Sequence, residues 1–79
     1  MNATLSRDTL IEAFIFLDTT RAEHGPISPE LGKFYLRTEA GLDPRHALWT
    51  YYAWATTYDP DAYAEDCVDN YLARSAAPN

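Results

Sequence analysis

An all-α fold, either a compact four-helix bundle or a stack of helical hairpins, is what this chain of 79 residues predicts. Three observations carry that expectation. Apolar residues recur at helical spacing in four segments. Three sites place a capping side chain directly before proline, the local signature of a helix start. No pair of segments reads as strands able to pair with each other.

The first helix is expected from about Ser6 to Glu23, because Leu10, Ile11, Phe14, Ile15 and Leu17 gather on one face at ~100° per residue. The run Ala13–Leu17 would also suit a short buried strand, but a strand needs a partner, and helix is preferred. Gly25-Pro26 closes this element. The second helix opens at Ser28-Pro29-Glu30 and is expected to reach Ala40, with Leu31, Phe34, Tyr35 and Thr38 facing inward. Gly41 followed by Leu42 has the form of a left-handed C-cap with its hydrophobic contact.

Asp43-Pro44-Arg45 and Asp59-Pro60-Asp61 repeat the grammar of Ser28-Pro29-Glu30. The cap oxygen accepts an unpaired N–H of the first turn, and proline fits the first helical position because its missing N–H has no intrahelical role. The caps are spaced by 15 and 16 residues. That leaves helices of about 11–15 residues with short connections. No repeat consensus accompanies the spacing.

On the third helix, Ala47, Leu48, Tyr51, Trp54, Ala55 and Tyr58 share one face. Trp49 and Tyr52 fall on nearly the opposite side, with Arg45 and Thr56. A helix with large rings all round is either central in its bundle or carries an aromatic patch outside. The central, buried reading is preferred, with the exposed patch as its alternative. The fourth helix, expected from the Asp59 cap, sorts Tyr63, Ala64, Cys67, Val68, Tyr71 and Leu72 inward and Asp61, Glu65, Asp66 and Asp69 outward. Glu65 and Asp69 are like charges at i,i+4, which repel, and the stretch from His46 to Tyr71 contains no Lys or Arg to relieve them. A single domain over residues 1–74 is expected, with a frayed tail at 75–79.

Twelve acidic against six basic residues leave a formal charge of −6. Direct nucleic-acid binding needs a Lys/Arg footprint, so it is not expected. An anionic membrane surface is disfavoured for the same reason, and no apolar run approaches the ~20 residues of a spanning helix. The expected partner is a protein or complex with a basic surface. Cys67 is the single cysteine, so no intrachain disulfide forms. No secretory pattern is read, which sets a cytoplasmic expectation.

Candidate chemistry is sparse. His24 and His46 are the only histidines, and no zinc, EF-hand or glycine-rich phosphate motif occurs. No metal and no cofactor are therefore expected. Cys67, on the apolar stripe of its helix, reads as a small buried hydrophobe rather than a nucleophile. An enzyme centred on His46 with Glu65 or Asp66 is the last alternative, and no spacing in the chain requires it.

The expected binding residues are Asp59, Asp61, Glu65, Asp66 and Asp69, with Trp49 and Tyr52 as aromatic anchors, since hot spots favour such rings. Carboxylates at i and i+4 stand ~6 Å apart along a helix axis, from the ~1.5 Å rise. Phosphates two steps apart along a strand have comparable separation, from the ~3.4 Å rise. In size, acidity and helical build the chain resembles phage-encoded inhibitors of host defence, including anti-restriction and anti-CRISPR proteins. That resemblance implies a nucleic-acid mimic that blocks the basic surface of a nucleic-acid-handling complex in the host cytoplasm; a monomer is favoured, with the oligomeric state left open. The alternative is a helical interaction module (an adaptor, an antitoxin-like subunit or a homodimer) that uses the aromatic face of the third helix.

Overall fold

The computed structural model describes residues 5–76, with side chains to Arg74. Helix α1 spans Arg7–His24, α2 Pro29–Thr38, α3 Pro44–Thr57 and α4 Ala64–Ala76, and the described residues contain no strand. The chain is thus all-α with four helices. Helix α4 runs two residues into the segment expected to fray, and residues 77–79 of that segment lie outside the described residues.

Three helix starts obey the local grammar. Ser6 accepts the Thr9 N–H at 3.2 Å, Ser28 the Leu31 N–H at 3.2 Å, and Asp43 the His46 N–H at 2.8 Å. The fourth start departs from it. The Asp59 carboxylate accepts the Asp61 N–H at 2.9 Å, and the Asp59 carbonyl accepts the Ala62 N–H at 3.1 Å. Asp59-Pro60-Asp61 is therefore a turn in which the side chain reaches two residues ahead. Helix α4 begins only at Ala64, where the Tyr63 carbonyl accepts from Asp66 and Cys67. The same three-residue grammar suits both outcomes, and which residue must enter the core decides between them.

Helix α3 packs against each of the other three helices. Its inner side supplies Ala47, Thr50, Tyr51, Ala53 and Trp54 to a core completed by Leu10, Phe14 and Leu17 of α1, Leu36 of α2, and Cys67 and Val68 of α4. Two hydrogen bonds fix the large polar-tipped rings. The Tyr51 hydroxyl donates to the Ile27 carbonyl at 2.8 Å, and the Trp54 indole N–H donates to Asp18 at 2.8 Å. Burial pushes the Tyr51 phenol up from its ordinary range.

The inner face of α2 differs from expectation. Leu31 and Phe34 are 42 % and 55 % exposed, while Gly32 and Leu36 are buried. The cause is the Tyr51 ring, which lies directly over Gly32. A Cβ built on Gly32 would overlap Tyr51 Cδ1 and stand 2.6 Å from Cε1. The helix turns its glycine, not its large apolar residues, towards α3. Ile15 and Tyr63, expected inside, are likewise 51 % and 79 % exposed. The C-cap of α2 is as expected: Gly41 has φ 72°, and the Leu42 N–H returns to the Leu36 carbonyl at 3.1 Å with the Leu42 side chain against the core. No helix of the described residues is long and apolar enough to cross a membrane.

Candidate functional site

The outer side of α3 carries the most distinctive surface. Trp49 is 53 % exposed and Tyr52 48 % exposed. Although α3 touches all three other helices, it is not covered all round, and the preferred buried reading of these two rings gives way to the exposed patch. The geometry explains why. Tyr51 and Trp54 point into the core from the same helix, so Trp49 and Tyr52, at quite different angles on the wheel, have no interior left to enter.

Both rings are braced. The Tyr51 ring meets Tyr52 edge-on at 5.3 Å between centroids, and the His46 ring meets Trp49 edge-on at 6.3 Å. The Arg45 guanidinium lies over the Trp49 ring at 5.7 Å, a cation–π distance. His46 is held in turn by Asp43, whose two carboxylate oxygens both stand 3.0 Å from Nδ1. Hydrogen bonds from the His46 backbone N–H and then its ring lower the Asp43 pKa below the usual carboxylate range. Between the rings runs a shallow groove with Ala53 and Thr56 as small residues along it and Tyr71 of α4 on its far side. It leads into a deeper cleft that also involves Leu10, Thr50 and Leu72.

The acidic residues do not join this groove. Asp69 forms a two-pronged pair with Arg7 of α1, Nε to Oδ1 at 2.7 Å and Nη2 to Oδ2 at 3.1 Å. Glu65 stands 3.9 Å from the same guanidinium. The Glu65–Asp69 repulsion expected from the sequence is therefore relieved by a basic side chain from the far end of the chain. Hydrogen bonding to Arg7 holds the Asp69 carboxyl low, and the partnership raises Arg7. Asp59 is engaged in its own turn, while Asp61 and Asp66 are exposed. The seven expected residues thus occupy separate places: Trp49 and Tyr52 in the α3–α4 groove, Glu65 and Asp69 on the α1–α4 side, Asp66 exposed in the first turn of α4, and Asp59 and Asp61 in the turn before α4.

The carboxylate bound to His46 is Asp43, rather than Glu65 or Asp66. No group of three or more His, Cys, Asp or Glu side chains is arranged to hold a metal among the described residues. Cys67 is buried, and burial pushes its thiol up. Two residues of this groove and cleft, Tyr71, which reads as core, and Thr50, which has no pattern of its own, were not singled out by the sequence, and neither was Arg7 of the α1–α4 side, which lies 62 residues from Asp69. Arg45, Trp49 and Tyr52, three and four apart on one helix, carry a readable local signal. No family model matches the chain, and neither a curated protein nor a solved structure does.

Proposed function

We propose that the chain is a protein-interaction module that docks a protein partner on the outer face of α3. The observation that carries this is the pair of half-exposed rings, Trp49 and Tyr52, each held by a neighbouring ring at 6.3 and 5.3 Å. Rings already fixed in place lose little side-chain freedom on binding, which is one of the main costs of association. Trp and Tyr are also the residue types that dominate hot spots. The formal charge of −6 suits a partner with a basic rim, whose attraction would speed encounter more than it tightens the complex.

The acid-led reading, a nucleic-acid mimic blocking a basic surface as phage-type inhibitors of host defence do, retains Asp61, Glu65 and Asp66 as exposed carboxylates. It is the weaker of the two, because Asp69 is committed to Arg7 and the acids stand apart from the aromatic groove.

The test begins with a partner captured from the native host and measures its affinity for three variants with unchanged circular dichroism. Trp49→Ala and Tyr52→Ala should each weaken binding by tenfold or more, about 30-fold for a central hot spot. Combined reversal of Asp61, Glu65 and Asp66 to Lys should mainly slow association and change its salt dependence. If charge reversal abolishes binding and the aromatic variants bind normally, the docking proposal fails and the mimic reading takes its place.

A further inference from the structure

The cleft beneath Trp49 has an internal volume of about 180 Å³, and its lining includes Leu5, Leu10, His46, Trp49, Thr50 and Leu72. An apolar cavity of ~150 Å³ is large enough to take a benzene ring. Trp49, half-exposed, stands at the edge of the cleft, which opens to the surface there. Its Trp49 wall is held by His46 and Arg45.

Thr50 makes the cleft more than an apolar groove. Four of the six other helical threonines donate their hydroxyls to the carbonyl four residues back: Thr20 to Phe16, Thr38 to Phe34, Thr56 to Tyr52 and Thr57 to Ala53, all at 2.7–2.9 Å. This is the usual resting arrangement of a helical threonine. Thr50 is the most buried threonine of the described chain, at 2 % exposure, and makes no such bond. No fully enclosed side-chain oxygen or nitrogen among the described residues lacks a partner. The Thr50 hydroxyl therefore has its open side on the cleft. Thr50 and His46 thus bring polar groups to a mainly apolar lining, and the Thr50 hydroxyl can both donate and accept.

We propose that this cleft binds a small free aromatic molecule bearing one hydrogen-bonding substituent, with the size and chemistry of a simple phenol. The ring lies against Leu10, Leu72 and the Trp49 indole, and its substituent meets the Thr50 hydroxyl. Apolar bodies with one or two placed polar contacts are the general pattern of small-ligand sites. The proposal stands independently of protein docking on α3.

Amide chemical shifts of the full chain, followed by NMR during titration, provide the test. The probes are p-cresol, toluene, and N-acetyl-tyrosine amide as a mimic of a partner's side chain. Saturable shifts around Thr50, Ala53 and Leu72 are expected with p-cresol, at about fivefold higher affinity than toluene, the ratio one net hydrogen bond supplies. Thr50→Val keeps the shape, and its folding is checked by spectral dispersion. It should abolish the preference for p-cresol while leaving toluene binding unchanged. The tyrosine amide should bind more weakly than p-cresol. Absence of saturable shifts in the wild type, equal affinity for p-cresol and toluene, or a preference that survives Thr50→Val overturns the proposal. Binding of the tyrosine amide as tight as that of p-cresol overturns the assignment to a free small molecule.

Discussion

Gly32→Ala is expected to destabilise the fold, although replacing glycine by alanine inside a helix ordinarily does the reverse. In an unobstructed helix the exchange is worth about 0.8–1.0 kcal/mol in favour of Ala. Here the new methyl group meets the Tyr51 ring, with Cε1 at 2.6 Å and Cδ1 in overlap. The ring has little freedom to withdraw. It is 6 % exposed, its hydroxyl is bound to the Ile27 carbonyl at 2.8 Å, and it packs on Trp54 at 5.9 Å between centroids. Overpacking of this kind costs about 1–3 kcal/mol. Moving the ring also strains the hydroxyl bond, worth about 1 kcal/mol. Subtracting the propensity gain leaves a net loss of about 1–3 kcal/mol.

For a domain of this size, 1 kcal/mol shifts the melting temperature by roughly 4–8 °C. Thermal unfolding followed by circular dichroism should therefore show Tm lowered by about 5–20 °C. The sign of the effect depends on the ring, and that can be isolated. In a Tyr51→Leu background the obstruction is gone, so Gly32→Ala should be neutral or stabilising there. A rise in Tm on Gly32→Ala in the otherwise unaltered chain would refute the reasoning, as would equal effects in the two backgrounds, because residues in contact should not behave additively.

Asp18→Ala should cost about 1–3 kcal/mol in denaturant unfolding, because it leaves the buried Trp54 N–H without its 2.8 Å acceptor; Asp18→Asn, which keeps an acceptor oxygen, should cost distinctly less. Asp43 and Asp69 both titrate below their ordinary range in the folded chain, so each contributes stability that is present above the unfolded carboxylate pKa and lost as pH falls through the folded one. Acid unfolding followed by fluorescence should accordingly become shallower in Asp43→Asn and in Arg7→Gln, and an unchanged acid limb in both would contradict those pairings. Cys67, buried and with its thiol pushed up by that burial, should react with a disulfide reagent only as denaturant opens the bundle; prompt stoichiometric labelling of the native protein would show that α4 opens readily.

What was legible in the sequence was local. Ser28 and Asp43 cap their helices through the N–H three residues ahead, and Gly41 ends α2 in the left-handed region, all as the residue types suggest. Errors arose where a distant residue decided the outcome. Asp59-Pro60 has the same local form as Asp43-Pro44, yet it forms a turn, and the helix waits until Ala64 can enter the core. The face of α2 departs from its pattern because apolar size favours Leu31 and Phe34, whereas the Tyr51 ring needs a residue without a side chain. A hydrophobicity pattern cannot register a glycine as a point of close helix contact. For the candidate site, Trp49 and Tyr52 were identifiable from the wheel, but their exposure was not. The relief of Glu65 and Asp69 by Arg7 joins opposite ends of the chain and has no local trace.

The distribution of side-chain size bears on the function more directly than charge does. Gly32, Ala47, Ala53, Ala64 and Cys67 share the interior with Phe14, Tyr51 and Trp54, while Trp49, Tyr52, Phe34 and Tyr63 are half-exposed or more. Burial of an aromatic ring contributes far more to stability than burial of a methyl group. If stability alone governed the arrangement, rings would be expected inside and small residues outside. Helix α3 divides its rings: Tyr51 and Trp54 are buried, whereas Trp49 and Tyr52 stay half-exposed and so contribute less to holding the bundle together. Tyr52→Ala should consequently change unfolding free energy by about 1 kcal/mol or less, as surface substitutions do, while removing half of the braced pair. A large loss of stability on that substitution would return Tyr52 to a structural role, and the docking face would then rest on Trp49 and the groove beside Tyr71 alone.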